Sequence, residues 1–173
     1  MAKEENKTTN KEQLFHAVTM AVAEIENELH EVEKGIFFAP ELYIAFKIGL
    51  NIYKNRAKVF NGNKVEWLRE TSLTKGTITD IAFLVDGKSC VLELKVKSTD
   101  ASYVADLNKL LSIVDTDERY FIALIDCFLH KTDGRLPAIE NFPNVVTHYK
   151  ATIPTSYRTY TNPVNCEIHL LQV

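Results

Sequence analysis

Thr79-Asp80-Ile81-Ala82-Phe83-Leu84-Val85-Asp86-Gly87-Lys88-Ser89-Cys90-Val91-Leu92-Glu93-Leu94-Lys95 decides the reading of this 173-residue chain. Asp86-Gly87 sits between two apolar runs. A two-residue type I′ turn needs φ > 0 at both central positions, which aspartate and glycine adopt most readily, so the stretch predicts a β-hairpin. Such a turn pairs Val85 with Lys88 and Phe83 with Cys90, and the same register places Asp80 directly opposite Glu93. Opposed Cβ atoms lie roughly 4.5–5.5 Å apart, and like charges there repel. Two facing carboxylates ask for a cation. Lys95 lies two residues past Glu93, on the same face by the period-two rule. Ile78 opposes it, which leaves the lysine room to lean toward the carboxylates. Hard oxygen ligands beside an ammonium group suit divalent-metal phosphate chemistry.

Outward from the hairpin, the pattern predicts helices before it and a crossover after it. Thr9-Asn10-Lys11-Glu12 reads as a capping box, followed by Leu14, Val18, Ala21, Ile25, Leu29 and Val32 on one helical face. This predicts an amphipathic helix over about 10–33, ending near Gly35. Its other face is acidic (Glu24, Glu26, Glu28, Glu31, Glu33) and reads as solvated. Pro40 opens a second helix running to about Asn55, with Glu41 in its first turn. There a carboxylate either serves the helix dipole or gives the hairpin site a third acidic group.

Lys64–Glu70, with the only Trp, reads as a strand, and 73–76 as a turn. Residues 102 to about 115 read as a helix. Arg119–Asp126 is an apolar run suited to a strand buried on both faces. Residues 130–144, with Gly134, Pro137 and Pro143, read as an irregular connection, and Val145–Tyr149 and Cys166–Gln172 as short closing strands. The helix between the Glu93 and Arg119 strands implies a right-handed crossover and a parallel pair. The expected fold is α/β: a central mixed β-sheet with a β-hairpin carrying the acidic motif, flanked by α-helices, in one domain over 1–173.

Composition bounds the function. Net charge is −3, so the whole molecule is not a basic nucleic-acid binder. Residues 35–75 carry seven Lys and Arg against three Glu, a local excess suited to a phosphate backbone or simply to a solvated helix end and loop. No window approaches the ~18 consecutive apolar residues of a membrane span, and the polar start argues against a signal peptide. Cys90, Cys127 and Cys166 are far apart and read as buried thiols in a reducing, cytoplasmic setting. His16, His30, His130, His148 and His169 show no metal-ligand spacing. Tyr157, Arg158 and Tyr160 read either as an edge strand or as base-stacking groups.

Thr79-Asp80, a twelve-residue gap through a hairpin and Glu93-Leu94-Lys95 resemble the motif of the PD-(D/E)XK nuclease superfamily, the restriction-endonuclease-like fold. The resemblance spans about residues 36–126. Glu41 matches an extra acidic residue found in many members, and the helix carrying Asp106 and Lys109 is also similar. Thr79 stands where the named motif has proline.

The resemblance implies Mg²⁺-dependent hydrolysis of a phosphodiester in DNA, less often RNA, with Mn²⁺ able to substitute. It gives Asp80, Glu93 and the main-chain carbonyl of Leu94 as metal ligands, and Lys95 as the residue that positions the attacking water. Glu41 would complete the metal shell directly or through water. Lys75 and Lys97 are candidate phosphate contacts, and Glu70 and Lys75 candidate linings of the cleft. Cutting both strands calls for a homodimer or a partner protein, with the acidic first helix as the candidate interface. The competing reading is a non-catalytic nucleic-acid-binding or assembly module on the same fold. In a third, Asp80 merely starts a strand, and Glu93 and Lys95 form an exposed alternating face.

Overall fold

A computed structural model describes residues 8–62, 64–69, 72–74, 77–129, 131, 133–159 and 162–173. Helices α1 (Lys11–His30), α2 (Glu41–Lys54) and the single-turn α3 (Arg56–Val59) come first, with one 3₁₀ turn at Ile36–Phe38. Strands β1 (Val65–Arg69), β2 (Ser72–Thr74), β3 (Thr77–Ile78), β4 (Ile81–Val85) and β5 (Lys88–Val96) follow. The chain closes with α4 (Asp100–Leu111), β6 (Glu118–Phe128), α5 (Leu136–Glu140), β7 (Thr147–Thr159) and β8 (Asn162–Gln172). Six strands form one mixed sheet in the order β1-β4-β5-β6-β8-β7. Only β5 and β6 run parallel, joined by α4, as expected of the apolar run after the hairpin.

Asp86 and Gly87 both have positive φ, at 50° and 84°, and the turn pairs Val85 with Lys88 and Phe83 with Cys90 as the sequence predicts. The ladder, however, ends at Ile81–Leu92. Asp80 therefore does not pair with Glu93 across a ladder; it lies in a bend just before β4. Helix α1 is capped by Asn10, whose Oδ1 accepts from the Gln13 N–H at 3.2 Å, so the predicted Thr9 capping box is not formed. Beside the turn expected at 73–76, Ser72–Thr74 and Thr77–Ile78 pair as the small antiparallel β2–β3 ribbon, so Ile78 belongs to this ribbon and not to the hairpin. Within 130–144, Pro137 in the first turn nucleates α5. The two closing strands are long, 13 and 11 residues, because β8 lies between β6 and the edge strand β7 and pairs along both.

Two apolar layers cover the sheet. Cys90, Leu92 and Leu94 of β5 pack with Leu14, Val18 and Ile25 of α1 and Ile44 and Ile48 of α2. On the other face Val91 packs with Tyr103, Leu107 and Leu110 of α4 and Ile139 of α5. Strand alternation puts Glu93 and Lys95 on the Val91 face, under α4. Cys90, Cys127 and Cys166 are buried free thiols. No helix among the described residues is long and apolar enough to cross a membrane.

The acidic face of α1 is not uniformly solvated. Glu26 is buried, and its carboxylate accepts the N–H groups of Ile36 and Ser156, tying the α1–α2 connection to β7. Glu24 and Glu28 accept from Lys47 of α2 at 3.1 and 2.6 Å. Gly49 sits inside α2, where glycine ordinarily costs about 1 kcal/mol against alanine. A Cβ there would lie 2.5 Å from Cζ2 of Trp67, whose ring is hemmed in by Phe46, Tyr53 and Phe83. Gly49→Ala is expected to destabilise the protein by about 1–2 kcal/mol, overpacking outweighing the propensity gain. Denaturant titration followed by Trp67 fluorescence checks this.

Candidate active site

The site forms where β4 stops and β5 continues. Past Ile81–Leu92, β5 has lost its partner on that edge, so the N–H groups of Leu94 and Val96 need other acceptors. Asp80 Oδ2 takes the Leu94 N–H at 2.8 Å. Glu41 Oε2, from the first turn of α2, takes the Val96 N–H at 2.9 Å. Two carboxylates thus replace the missing strand. In a strand the C=O and N–H of one residue point to the same side, so the Leu94 carbonyl faces the same vacated edge. This edge adjoins the carboxyl ends of the parallel pair β5–β6, the usual place for a ligand crevice in an open α/β sheet.

On the α4 face, Glu93 and Lys95 are two residues apart on β5, and Asp106 and Lys109 are three apart on α4. The spacings match, and the charges cross-pair. Lys109 Nζ donates to Glu93 Oε1 at 2.5 Å, and Lys95 Nζ lies 3.2 Å from Asp106 Oδ2. Lys95 is thus bonded to Asp106 rather than leaning free toward the carboxylates. Glu93 is only 6% exposed, and its Oε2 is buried with no hydrogen-bond partner among the described residues. A buried carboxylate oxygen without a donor is costly.

The electrostatics follow from this burial. Desolvation pushes the Glu93 carboxyl up to about 7; the Lys109 hydrogen bond opposes this, and the charges of Asp80 and Asp106 add to it. Asp80 is also raised, by burial first, against the pull of the Leu94 N–H and of Lys109 and Lys95. Burial alone would lower the Lys95 ammonium, but the bond to Asp106 and the charges of Asp106, Glu41 and Asp80 outweigh it and hold the group above its ordinary value. Lys95 is therefore a fixed positive charge at neutral pH.

The folded chain binds the Glu93 proton more tightly than the unfolded chain does. Metal-free protein is expected to lose stability, on the order of 2–3 kcal/mol, as pH rises from the ordinary glutamate range through about 7. Denaturant titrations in EDTA across that window check this. Glu93→Gln should flatten the slope; an equal slope in both proteins would contradict the assignment.

The structure thus brings Asp80, Glu93, Lys95, Leu94 and Glu41 to one end of β5. Lys97, the next residue after β5, is exposed, and its ammonium donates to the hydroxyl of Tyr157 in β7. Lys75, Glu70 and Tyr160 lie outside the described residues. The histidines are less isolated than their spacing suggests. His148 Nε2 on β7 and His169 Nδ1 on β8 are 2.9 Å apart as diagonal neighbours, His169 pairing with Lys150, and the His169 ring is fully buried. The pairing roles of Asp106 and Lys109 were missed; the signal was the i, i+3 charge pair on a helix whose apolar face is Tyr103, Leu107 and Leu110.

Among the described residues, no group of three or more His, Cys, Asp or Glu side chains is gathered to hold a metal ion. The donor set nonetheless suits a hard cation that needs only one or two carboxylates and keeps several waters. Glu93 has an oxygen without a partner, Asp80 and Glu93 repel one another, and both hold their protons abnormally tightly. No protein-family model, curated protein or solved structure matches the chain.

Proposed function

We propose that the chain is a PD-(D/E)XK-type nuclease on a restriction-endonuclease-like fold, hydrolysing phosphodiester bonds in nucleic acid, foremost DNA, with Mg²⁺ or Mn²⁺. The observation that carries this reading is the unpartnered Oε2 of Glu93, buried beside a second raised carboxylate and on the same strand face as a fixed lysine charge. The mixed sheet with helices on both faces and the motif on its β4–β5 hairpin supports the fold assignment.

Asp80, Glu93 and the Leu94 carbonyl would hold the metal, with Glu41 completing the shell directly or through water. When bound, the ion would polarise the phosphoryl oxygen and lower the pKa of a water. Lys95 supplies a positive charge where negative charge grows on the phosphate. Being held above its ordinary pKa, it orients the attacking water and stabilises charge rather than accepting the proton. Asp106 positions Lys95, and Lys109 positions Glu93. Asp80 and Glu41, fixed by strand-edge N–H groups, are preorganised before substrate arrives.

A second reading is a nucleic-acid-binding module that keeps the scaffold. Its support is that Lys95 and Lys109 are already paired within the chain. The two readings separate on labelled plasmid, linear duplex, single-stranded DNA and RNA incubated with Mg²⁺ or Mn²⁺, and with EDTA. The nuclease reading predicts cutting that needs the cation. Binding without cutting under every condition would favour the module.

A further inference from the structure

We propose that the cleft between the α1–α2 connection and β7 is a base-stacking subsite, and that the substrate is single-stranded where it meets the site. The choice of nucleic acid as occupant rests on the nuclease reading; the choice of an unpaired strand rests on the cleft itself. The cleft has a volume of about 960 Å³, and its walls include Glu31, Lys34, Phe38, Tyr157 and Arg158. That size lies within the range of small-ligand pockets, room for a nucleotide or two but not a duplex.

Its aromatic groups are placed as platforms. Phe38 is 61% exposed, with the Lys34 ammonium 5.3 Å from its ring centre. An exposed phenylalanine carrying a cation offers one stacking surface and one phosphate contact. The Tyr157 ring is packed edge-on by Phe37 at 5.7 Å between centres and has the Lys97 ammonium 4.2 Å from its ring centre as well as on its hydroxyl, so it is a cation-bearing wall beside the Phe38 platform. Gly35 fixes the spacing between the walls. A Cβ at that position would lie 2.2 Å from the Tyr157 backbone nitrogen, so the connection abuts β7 and the platforms are preorganised.

The cleft also adjoins the proposed active site. Lys97 follows Val96, whose N–H is held by Glu41. Lys97 in turn touches Tyr157 of the cleft wall, so the end of β5 and the cleft are joined through this contact. Lys34 and Arg158 in the cleft and Lys97 beside it supply positive charge, while Glu31 and Glu33 supply acceptors. Carboxylates repel phosphates but accept from the amino groups of unpaired bases. This mixture suits a single strand with its bases turned in, and disfavours a duplex, whose base faces are stacked on one another and closed to Phe38.

The test uses anisotropy of a labelled oligodeoxycytidylate, whose bases carry an amino group, and of a labelled duplex of equal length, in EDTA so that nothing is cut. Wild type should bind the single strand more tightly. Phe38→Ala, which removes an exposed side chain and whose fold circular dichroism checks, should weaken that binding by on the order of 5- to 100-fold. Phe38→Trp should retain it. Equal affinity for the two probes, no binding of either, or single-strand binding unchanged in Phe38→Ala would overturn the proposal. Cleavage reports separately on the nuclease reading. Phe38-dependent binding without Mg²⁺-dependent cutting keeps the subsite and sinks the nuclease. Lys95-dependent cutting with no Phe38 effect does the reverse.

Discussion

Lys95→Ala is expected to lower cation-dependent cleavage by about 10²–10³-fold while leaving the fold intact. The magnitude is that of removing one preorganised charge from a developing oxyanion. The side chain is about one-quarter exposed and packs against no apolar cluster, so its loss removes little packing. Its removal frees Asp106, which adds uncompensated negative charge beside the phosphate. Lys95→Arg keeps the charge but not its point-like geometry, so it should recover only part of the rate. Because Lys95 acts as a charge and not as a base, the acid limb of the pH–rate profile should follow the carboxylates, and the bound cation should carry it below the metal-free value of about 7 set by the burial of Glu93. Single-turnover cleavage against pH tests both statements. A Lys95→Ala protein that cuts as fast as wild type would remove the lysine from the mechanism.

Arg135→Ala should give the largest loss of stability, about 3 kcal/mol or more. The guanidinium donates to Asp126 Oδ1 at 2.6 Å, to both carboxylate oxygens of Asp133 at 2.5 and 2.8 Å, and to the main-chain oxygens of Ser98 and Asp126 at 3.1 and 2.6 Å. These five bonds join the β5–α4 turn, the end of β6 and the approach to α5. The hydrogen bonds from Arg135 are the main reason the Asp133 carboxyl is held below its ordinary pKa. Removing the cation strands two largely buried carboxylates, a change that costs about 3–5 kcal/mol in buried pairs. Lysine cannot span the same fork, so Arg135→Lys should rescue little. Urea denaturation of both variants checks this, and a loss below about 1 kcal/mol would show the network to be solvated and weak. The turn it braces leads from Lys97 into α4, so Arg135→Ala should also loosen the Lys95–Asp106 pairing.

The hairpin was legible because its signal is local. Asp86-Gly87 fixes the turn, the turn fixes the register, and the register identifies the face that Glu93 and Lys95 share. The crossover through α4 was legible for a similar reason: a helical period between two apolar strands leaves little choice. What eluded the sequence depends on where strands stop and on contacts far apart in the chain. Asp80 does not face Glu93 because β4 ends one residue earlier, and the acid caps the Leu94 N–H instead. Glu26 reads as a surface residue by helical period, yet two backbone donors from distant segments bury it. The extent of β7 and β8 was hidden because Pro154 and Pro163 break the apparent strand pattern, although a register shift between Pro154 and Arg158 and pairing of Pro163 with Arg158 accommodate both. Arg135 carried no pattern at all; its partners converge only once β6 and the β5–α4 turn are side by side.

The most direct measurement is cleavage of labelled single-stranded and duplex DNA by wild type and Asp80→Asn, each with Mg²⁺ and with EDTA. Asparagine can still accept the Leu94 N–H, so the strand edge stays capped while the ligand charge is lost. The nuclease account predicts cutting by wild type with Mg²⁺ and none with EDTA, and its loss in Asp80→Asn, whose cation-free thermal stability should be no lower than wild type's because the Asp80–Glu93 repulsion is gone. Cutting that survives EDTA, or an Asp80→Asn protein as active as wild type, would contradict it.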